Sequence, residues 1–586
     1  MPSREDVESR VLSAVCGDAM WKTLETFGNI DRVSGSQGDF QAVDYVVSYL
    51  KGHGIPVDVY EFDSLISRPM RGSLRCVAPE EREIHCKTRA FSACTPPAGL
   101  RGEVIYVPTR SGGVGILEGA TEDEYAGIDA RGKIVLSMRG GPDAVWDAQR
   151  HGAIGLIHVW SSGEDVLHEM IATPVWGTPT PETAHMVPTI PIGSVKKSDG
   201  EWLISLTHQG KVEVILRTEV DTRWRQLRLP VAEIRGSTEP DEFVLVGGHL
   251  DSWYVGITDN ATGNATCMEM ARVLFEHREH LRRSVRVAWW PGHSYGRYSG
   301  STWYADNFWQ DLHKNCVGYD NIDSPGCLGA IDYSEVTAMA EDKAFVEKVV
   351  LEITGQKTRG VRPVRAGDQS FWGHGVPSLF MLLSNRPDQS AVGGSAGGWW
   401  WHSEYDTLDK ADKKIQVQDT RLHLLAVLRL ANAEVLPFDF VDVADEALGA
   451  IRDYAAGATA VSDAGSVLAA VEEFRLRAAK LNEAICSISG PGCCQGKAAL
   501  LNDCLKGLSR LINPVSYTVT GPFDQDPATP TRPYPGLVSL KTLAALSPGT
   551  NEYGFTLTRL LRECNRTIDA FRQASRLVDE TLGRLG

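Results

Sequence analysis

The chain has 586 residues, 42% hydrophobic and 23% charged, which is too long for one hydrophobic core and points to several soluble domains. Acidic residues outnumber basic ones by 75 to 59, for a net charge of −16. That balance argues against a general nucleic-acid or anionic-membrane role, because nothing offsets phosphate repulsion.

The opening stretch MPSREDVESRVLSAVCGDAMW carries acidic residues early and holds no apolar core of signal-peptide length. No apolar run of about 18 residues follows, so no membrane span is expected. Twelve cysteines are scattered rather than arranged as the dense framework of a small secreted domain. The adjacent pair Cys493 and Cys494 reads as two loop thiols in a reducing compartment. A cytoplasmic location is the expectation.

VDYVVSYLKGHGIPVDVYEF predicts a helix, a stop at Gly54 and a strand. From about residue 67 to 222 short β-rich runs such as GEVIYVP, GKIVLSM and GAIGLIHVW alternate with Gly/Pro turns. Residues 223–447 alternate apolar strands with amphipathic helices: EFVLVGGHLD, then NATCMEMARVLFEH, then SVRVAWWPGH. That alternation predicts an α/β fold with a mostly parallel sheet flanked by helices. Residues 448–586 contain segments with apolar residues every three to four positions, as in a helical bundle. The expected division is therefore 1–66 and 223–447 for one α/β domain, 67–222 for an inserted β-rich domain, and 448–586 for a helical domain.

The chemistry concentrates in VLVGGHLDSWYVGITDNATGNATCMEMAR. An apolar strand ends at His249, and Asp259 follows ten residues later, just before a helix. The carboxyl ends of parallel strands form the crevice where α/β sites are built. Imidazole and carboxylate are what zinc or a similar divalent ion prefers. Asp251 stands two residues beyond His249, placed to orient that imidazole. A lone HxD is a weak signal, but Asp323 in GYDNIDSPG and His402 in WWWHSEYDT continue the series at later strand ends.

With those residues in place, the sequence resembles the zinc aminopeptidases and glutamate carboxypeptidases, whose relative the transferrin receptor keeps the fold without the chemistry. TDNATGNA, GSTWYAD, the NxD of Asn321 to Asp323 and HSEYDT match in order. GKIVLSMRGGPDAVWDAQRHGAIGLIHV resembles the family's inserted protease-associated domain, and the C-terminus resembles its helical dimerisation domain. The resemblance implies a homodimer and one or two divalent ions, zinc being the usual one. It makes Asp259 a carboxylate bridging two metals, with His249 and Asp323 serving one ion and His402 the other.

One turn departs from the family. Where its enzymes carry adjacent glutamates, a general base and a metal ligand, this sequence reads WWPGHSYGRYSGS, placing His293 and Ser294 there. Three roles stay open for His293: a metal ligand, a general base over a single metal, or a residue of a relic site. The tyrosine that precedes the final histidine in the glutamate carboxypeptidase branch is here Trp401. Trp400 and Trp401, after a glycine run, are candidates for an aromatic substrate wall, and Arg297 for a grip on a substrate carboxylate. The function expected is hydrolysis of an amide bond in a small peptide-like substrate by metal-activated water at an atypical site. A non-catalytic scaffold and a metal-dependent enzyme of another reaction type, such as a lyase, remain as alternatives.

Overall fold

The computed structural model of the chain describes residues 4–109, 124–381, 383–387, 398–456, 463–488 and 495–585. The Cys493–Cys494 pair and residues 393–397 of the glycine run lie outside them.

The strand Glu239–His249 is buried on both faces from Phe243 onward. Side chains alternate across a strand, and Val244 and Val246 join one core with the helices Gly17–Phe27 and Thr262–Glu276. Phe243 and Leu245 join another with Ala305 and Leu312. A strand covered on both sides reads as a continuous apolar run. Cys316–Asn321 and Arg283–Trp290 flank it, both parallel, and Val212–Ile234 closes that side antiparallel.

The fold is α/β with a central, mostly parallel sheet and a C-terminal helical region. The inserted domain is not a separate sheet, however. Val57–Ala78 and Val212–Ile234 pair antiparallel along nearly their whole length and run straight through the expected divisions. Val212–Ile234 then pairs with Leu100–Val107, and Ile134–Ser137, Gly155–Val159 and Ile192–Val195 follow in parallel. The expected boundaries at 66/67 and 222/223 therefore fall inside two strands. Composition changes there, but the ladder of backbone hydrogen bonds does not stop.

The helices Phe440–Ala455, Gln495–Tyr517 and Asn551–Leu585 share one core with the sheet. The Pro-rich segment between the last two returns towards the 67–222 region, where Ala528 N–H donates to the Pro174 carbonyl. Among the described residues no helix is long and apolar enough to cross a membrane.

Candidate metal centre

The Glu239–His249 strand delivers His249 to the carboxyl edge of the sheet. A side chain at Gly248 would meet the Ile322 carbonyl at 2.6 Å, so glycine lets the neighbouring chain pass closely here. The loop after His249 is clamped from the N-terminal segment. Arg32, fully buried, donates from Nε to the Leu250 carbonyl, from Nη1 to Val255 and from Nη2 to Gly256. Asp406 holds the next stretch, accepting from the Thr258 and Asp259 amides at 2.9 and 3.0 Å and from the Thr258 hydroxyl. Burial pushes the Asp406 carboxyl up to about 7.

Between these clamps the Asp259 carboxylate reaches two imidazoles at once. Its Oδ1 lies 2.9 Å from His249 Nε2 and its Oδ2 lies 2.9 Å from His402 Nε2. Asp323 Oδ1 is 3.6 Å from the same His249 nitrogen. Each ring is fixed from behind: His249 Nδ1 meets the Asp251 carbonyl at 2.8 Å, and His402 Nδ1 meets the Glu169 carbonyl of the inserted domain at 3.0 Å. The four residues expected at strand ends are thus brought together, though only His249 and Asp323 follow strands; Asp259 lies in the turn before a helix and His402 in a later turn.

His293 joins them. Its ring stacks on that of His249 with centroids 3.9 Å apart, and the donor atoms of His249, His293 and Asp323 all lie within 4.8 Å of one another. His293 Nδ1 is 2.7 Å from Asp368 Oδ2. Ser294 is buried, and its hydroxyl has no partner among the described residues.

Asp251 is not where the sequence reading put it. Its carboxylate does not hydrogen-bond to the His249 ring (Nδ1 to Oδ1 is 3.9 Å). It accepts instead from the amides of His293 and Ser294 and from the Ser34 hydroxyl. The backbone carbonyl of Asp251 already occupies Nδ1, so the carboxylate is free to hold the His293 turn.

Burial works against charge on both histidines. At His249 the carboxylates of Asp259 and Asp323 outweigh burial and hold the pKa well above the imidazole range. At His402, where Asp259 acts alone among carboxylates, burial prevails and the pKa falls. Burial opposes the charge on Asp259 as well, yet its two imidazole partners hold it well below the carboxylate range. Nitrogen and carboxylate oxygen donors, buried and drawing positive charge to one point, fit a divalent cation such as zinc.

Trp400 and Trp401 do not form a wall open to substrate. Trp400 is 2% exposed and donates from Nε1 to the Thr258 hydroxyl. Trp401 stacks on His402 and packs against Trp160, Leu167 and Met170. The two rings proposed as a substrate wall are supports for the centre: Trp401 is sheltered beneath the 67–222 region and Trp400 is buried on the loop that carries Asp259. Arg297 is buried too, with no carboxylate in ion-pair range among the described residues. Its Nη2 reaches only the Ala528 carbonyl at 3.4 Å, and its guanidinium sits 5.0 Å from the Tyr298 ring centroid. Arg297, Tyr298, Asp368, His402 and Ser324 all adopt left-handed backbone, a costly conformation that clusters at functional sites.

Arg32, Ser34 and Asp406 were not among the expected site residues. They act through backbone contacts from distant segments, and no local spacing announces that.

Residues 231–425 match the profile of Peptidase family M28. "Probable glutamate carboxypeptidase VP8" of Zea mays is 22% identical over 481 residues, covering 70% of this chain and 66% of its own. "Probable lipoprotein aminopeptidase LpqL" of Mycobacterium tuberculosis is 25% identical over 447 residues, covering 70% and 84%. The chain thus spans about two thirds of the length of the first and more of the second. Among solved structures, a zinc aminopeptidase from Bacillus subtilis aligns with a TM-score of 0.53 at 20% identity, over 70% of this chain and 95% of the other.

Proposed function

The chain carries a peptidase family M28 domain, and from that premise we propose that it hydrolyses an amide bond in a small peptide-like substrate. The observation that carries this reading is the Asp259 carboxylate set between His249 and His402 at 2.9 Å each, with Asp323 beside it. His249, Asp259, Asp323 and His402 would hold one or two divalent ions, zinc being the simplest choice. Such an ion polarises a scissile carbonyl and lowers the pKa of water.

The chain's own residues supply the rest. Asp406 and Arg32 hold the loop that carries Asp259, so its carboxylate is positioned before substrate arrives. His293 adds a third nitrogen, and its closeness to the His249 and Asp323 donor atoms supports a ligand role. Its hydrogen bond to Asp368 supports a second reading, in which His293 takes the proton of the attacking water. Arg297, buried without a counter-charge among the described residues and three residues from Ser294 on the same turn, is suited to a substrate carboxylate. Whether the enzyme trims from the amino or the carboxyl end stays open: the relatives' names divide between the two.

The inserted domain is read as protease-associated in type, and the helical region as a dimerisation domain. The described cysteines are all free, which supports a reducing, cytoplasmic setting.

The test is hydrolysis of a dipeptide library by zinc-loaded protein, alongside His293→Ala. Activity in the wild type and its loss in the variant are expected. Zinc content of the variant then separates the two roles, falling for a ligand and holding for a base. No hydrolysis of any amide by zinc-loaded protein would favour the scaffold alternative.

A further inference from the structure

His293 is the end of a hydrogen-bonded chain that starts in the inserted domain. Trp176 Nε1 lies 2.8 Å from Ser370 Oγ, Ser370 Oγ lies 2.8 Å from Ser301 Oγ, and Ser301 Oγ lies 2.7 Å from Asp368 Oδ1. The other oxygen of Asp368 meets His293 Nδ1 at 2.7 Å. All four residues behind the histidine are buried.

The direction of this chain follows from its two kinds of fixed member. An indole N–H only donates, and an ionised carboxylate only accepts. Ser370 must therefore accept from Trp176, and its own proton is free for Ser301. Ser301 accepts that proton and has one to give. The Asp368 oxygen at 2.7 Å is the shorter and charge-assisted choice over the Tyr298 carbonyl at 3.2 Å. Asp368 Oδ2 then accepts from His293, which places the imidazole proton on Nδ1. Thr302, the other hydroxyl near Ser370, spends its proton on the Tyr298 carbonyl at 2.8 Å and does not reverse the order.

We infer that Asp368 is a positioning residue: through the chain from Trp176 it locks His293 as the Nδ1–H tautomer and keeps the Nε2 lone pair for the metal centre. This rests on the reading of His293 as a working group of that centre, and it serves either role given above, since ligand and base both need a bare nitrogen. It also gives the inserted domain a part in the chemistry. Asp368 holds a left-handed backbone (φ +47°) while both its carboxylate oxygens are engaged.

The experiment is nitrogen-15 spectroscopy of full-length, histidine-labelled, metal-depleted protein at pH 8, with the His293 signals identified by their loss in His293→Ala. The expected result is a proton on Nδ1 and none on Nε2. In Asp368→Asn the amide can donate as well as accept, so the single tautomer should be lost, and with His293 as a ligand zinc affinity should fall with it by roughly 10–100-fold. Should that variant not fold, Ser301→Ala removes the hydroxyl behind Asp368 while leaving His293 and Asp368 themselves in place, and should weaken the same preference. A wild-type proton on Nε2, or an Asp368→Asn protein with unchanged tautomer and zinc affinity, overturns the inference. The hydrolase reading fails separately: an Nδ1–H tautomer in a protein that cleaves no amide would sink that reading and leave this one standing.

Discussion

The ring of Trp401 lies flat against that of His402, with centroids 3.4 Å apart and planes within 14°. His402 is therefore held on three sides, by the Trp401 ring, by the Glu169 carbonyl at Nδ1 and by Asp259 at Nε2. Replacing Trp401 by Ala opens a cavity between the inserted domain and the centre. The cost expected for a buried Trp→Ala change is about 3–5 kcal/mol. Trp401→Phe should recover most of this, since a ring can still stack. Denaturant unfolding of the two variants checks the order, and equal stability of both with wild type would refute it.

The zinc assignment is tested most directly at His249. This imidazole faces the buried Asp259 and the half-buried Asp323, so its loss removes a nitrogen donor from between two carboxylates. His249→Ala should lose most bound zinc, measured by elemental analysis after dialysis against trace metal. Full stoichiometry in the variant would rule the assignment out.

The α/β class, the helical C-terminal region and the convergence of His249, Asp259, Asp323 and His402 were legible in the sequence. Strand ends and the two-residue period are local properties, and parallel topology gathers strand ends at one edge. What escaped was whatever depends on a partner far along the chain. Asp251 was expected to serve the imidazole two residues away, yet its carboxylate serves amides 42 and 43 positions on. Trp400 and Trp401 were candidates for a substrate wall, but Trp401 packs against Trp160, Leu167 and Met170 and Trp400 is buried on Thr258. The two long strands hid the domain boundaries because a β-ladder continues through a change in composition.

Self-association is expected through the helical region. Phe555 is 73% exposed and Leu561 37% exposed on the helix Asn551–Leu585. Exposed apolar side chains on a long helix are stabilised by a partner surface, and a twofold dimer is the commonest solution. Light scattering at micromolar concentration should give twice the 64.1 kDa chain mass, and Phe555→Asp should shift it towards the monomer. A monomeric wild type would count against this helix as an interface.

The last prediction concerns pH and a residue beneath the centre. Asp39 lies in the first turn of the helix Gln37–Gly52, fully buried, with one oxygen accepting from the Gly35 amide at 2.8 Å and the other unpartnered. Burial pushes its carboxyl up to about 8; the Asp251 carboxylate adds to this, while Arg32 and Arg68 oppose it. In the unfolded chain the same group titrates near about 4. The folded protein thus keeps a proton that the unfolded chain has released across the interval between. Stability from this group is fully present below the unfolded value and is lost as pH rises towards about 8, by roughly 1.4 kcal/mol per pH unit at most. Asp39→Asn is neutral at every pH and should remove that slope. Denaturant unfolding of both proteins between pH 5 and 8 should therefore show curves that converge or cross, with the variant gaining on wild type as pH rises. Parallel curves would show that Asp39 is already ionised in the folded state. The consequence reaches the centre, because Arg32, which clamps the loop between His249 and Asp259, is one of the two arginines that would face the new charge. A guanidinium drawn towards an ionised Asp39 has less hold on the Leu250 and Val255 carbonyls, so the affinity for zinc should weaken over the same pH interval in wild type and not in the variant.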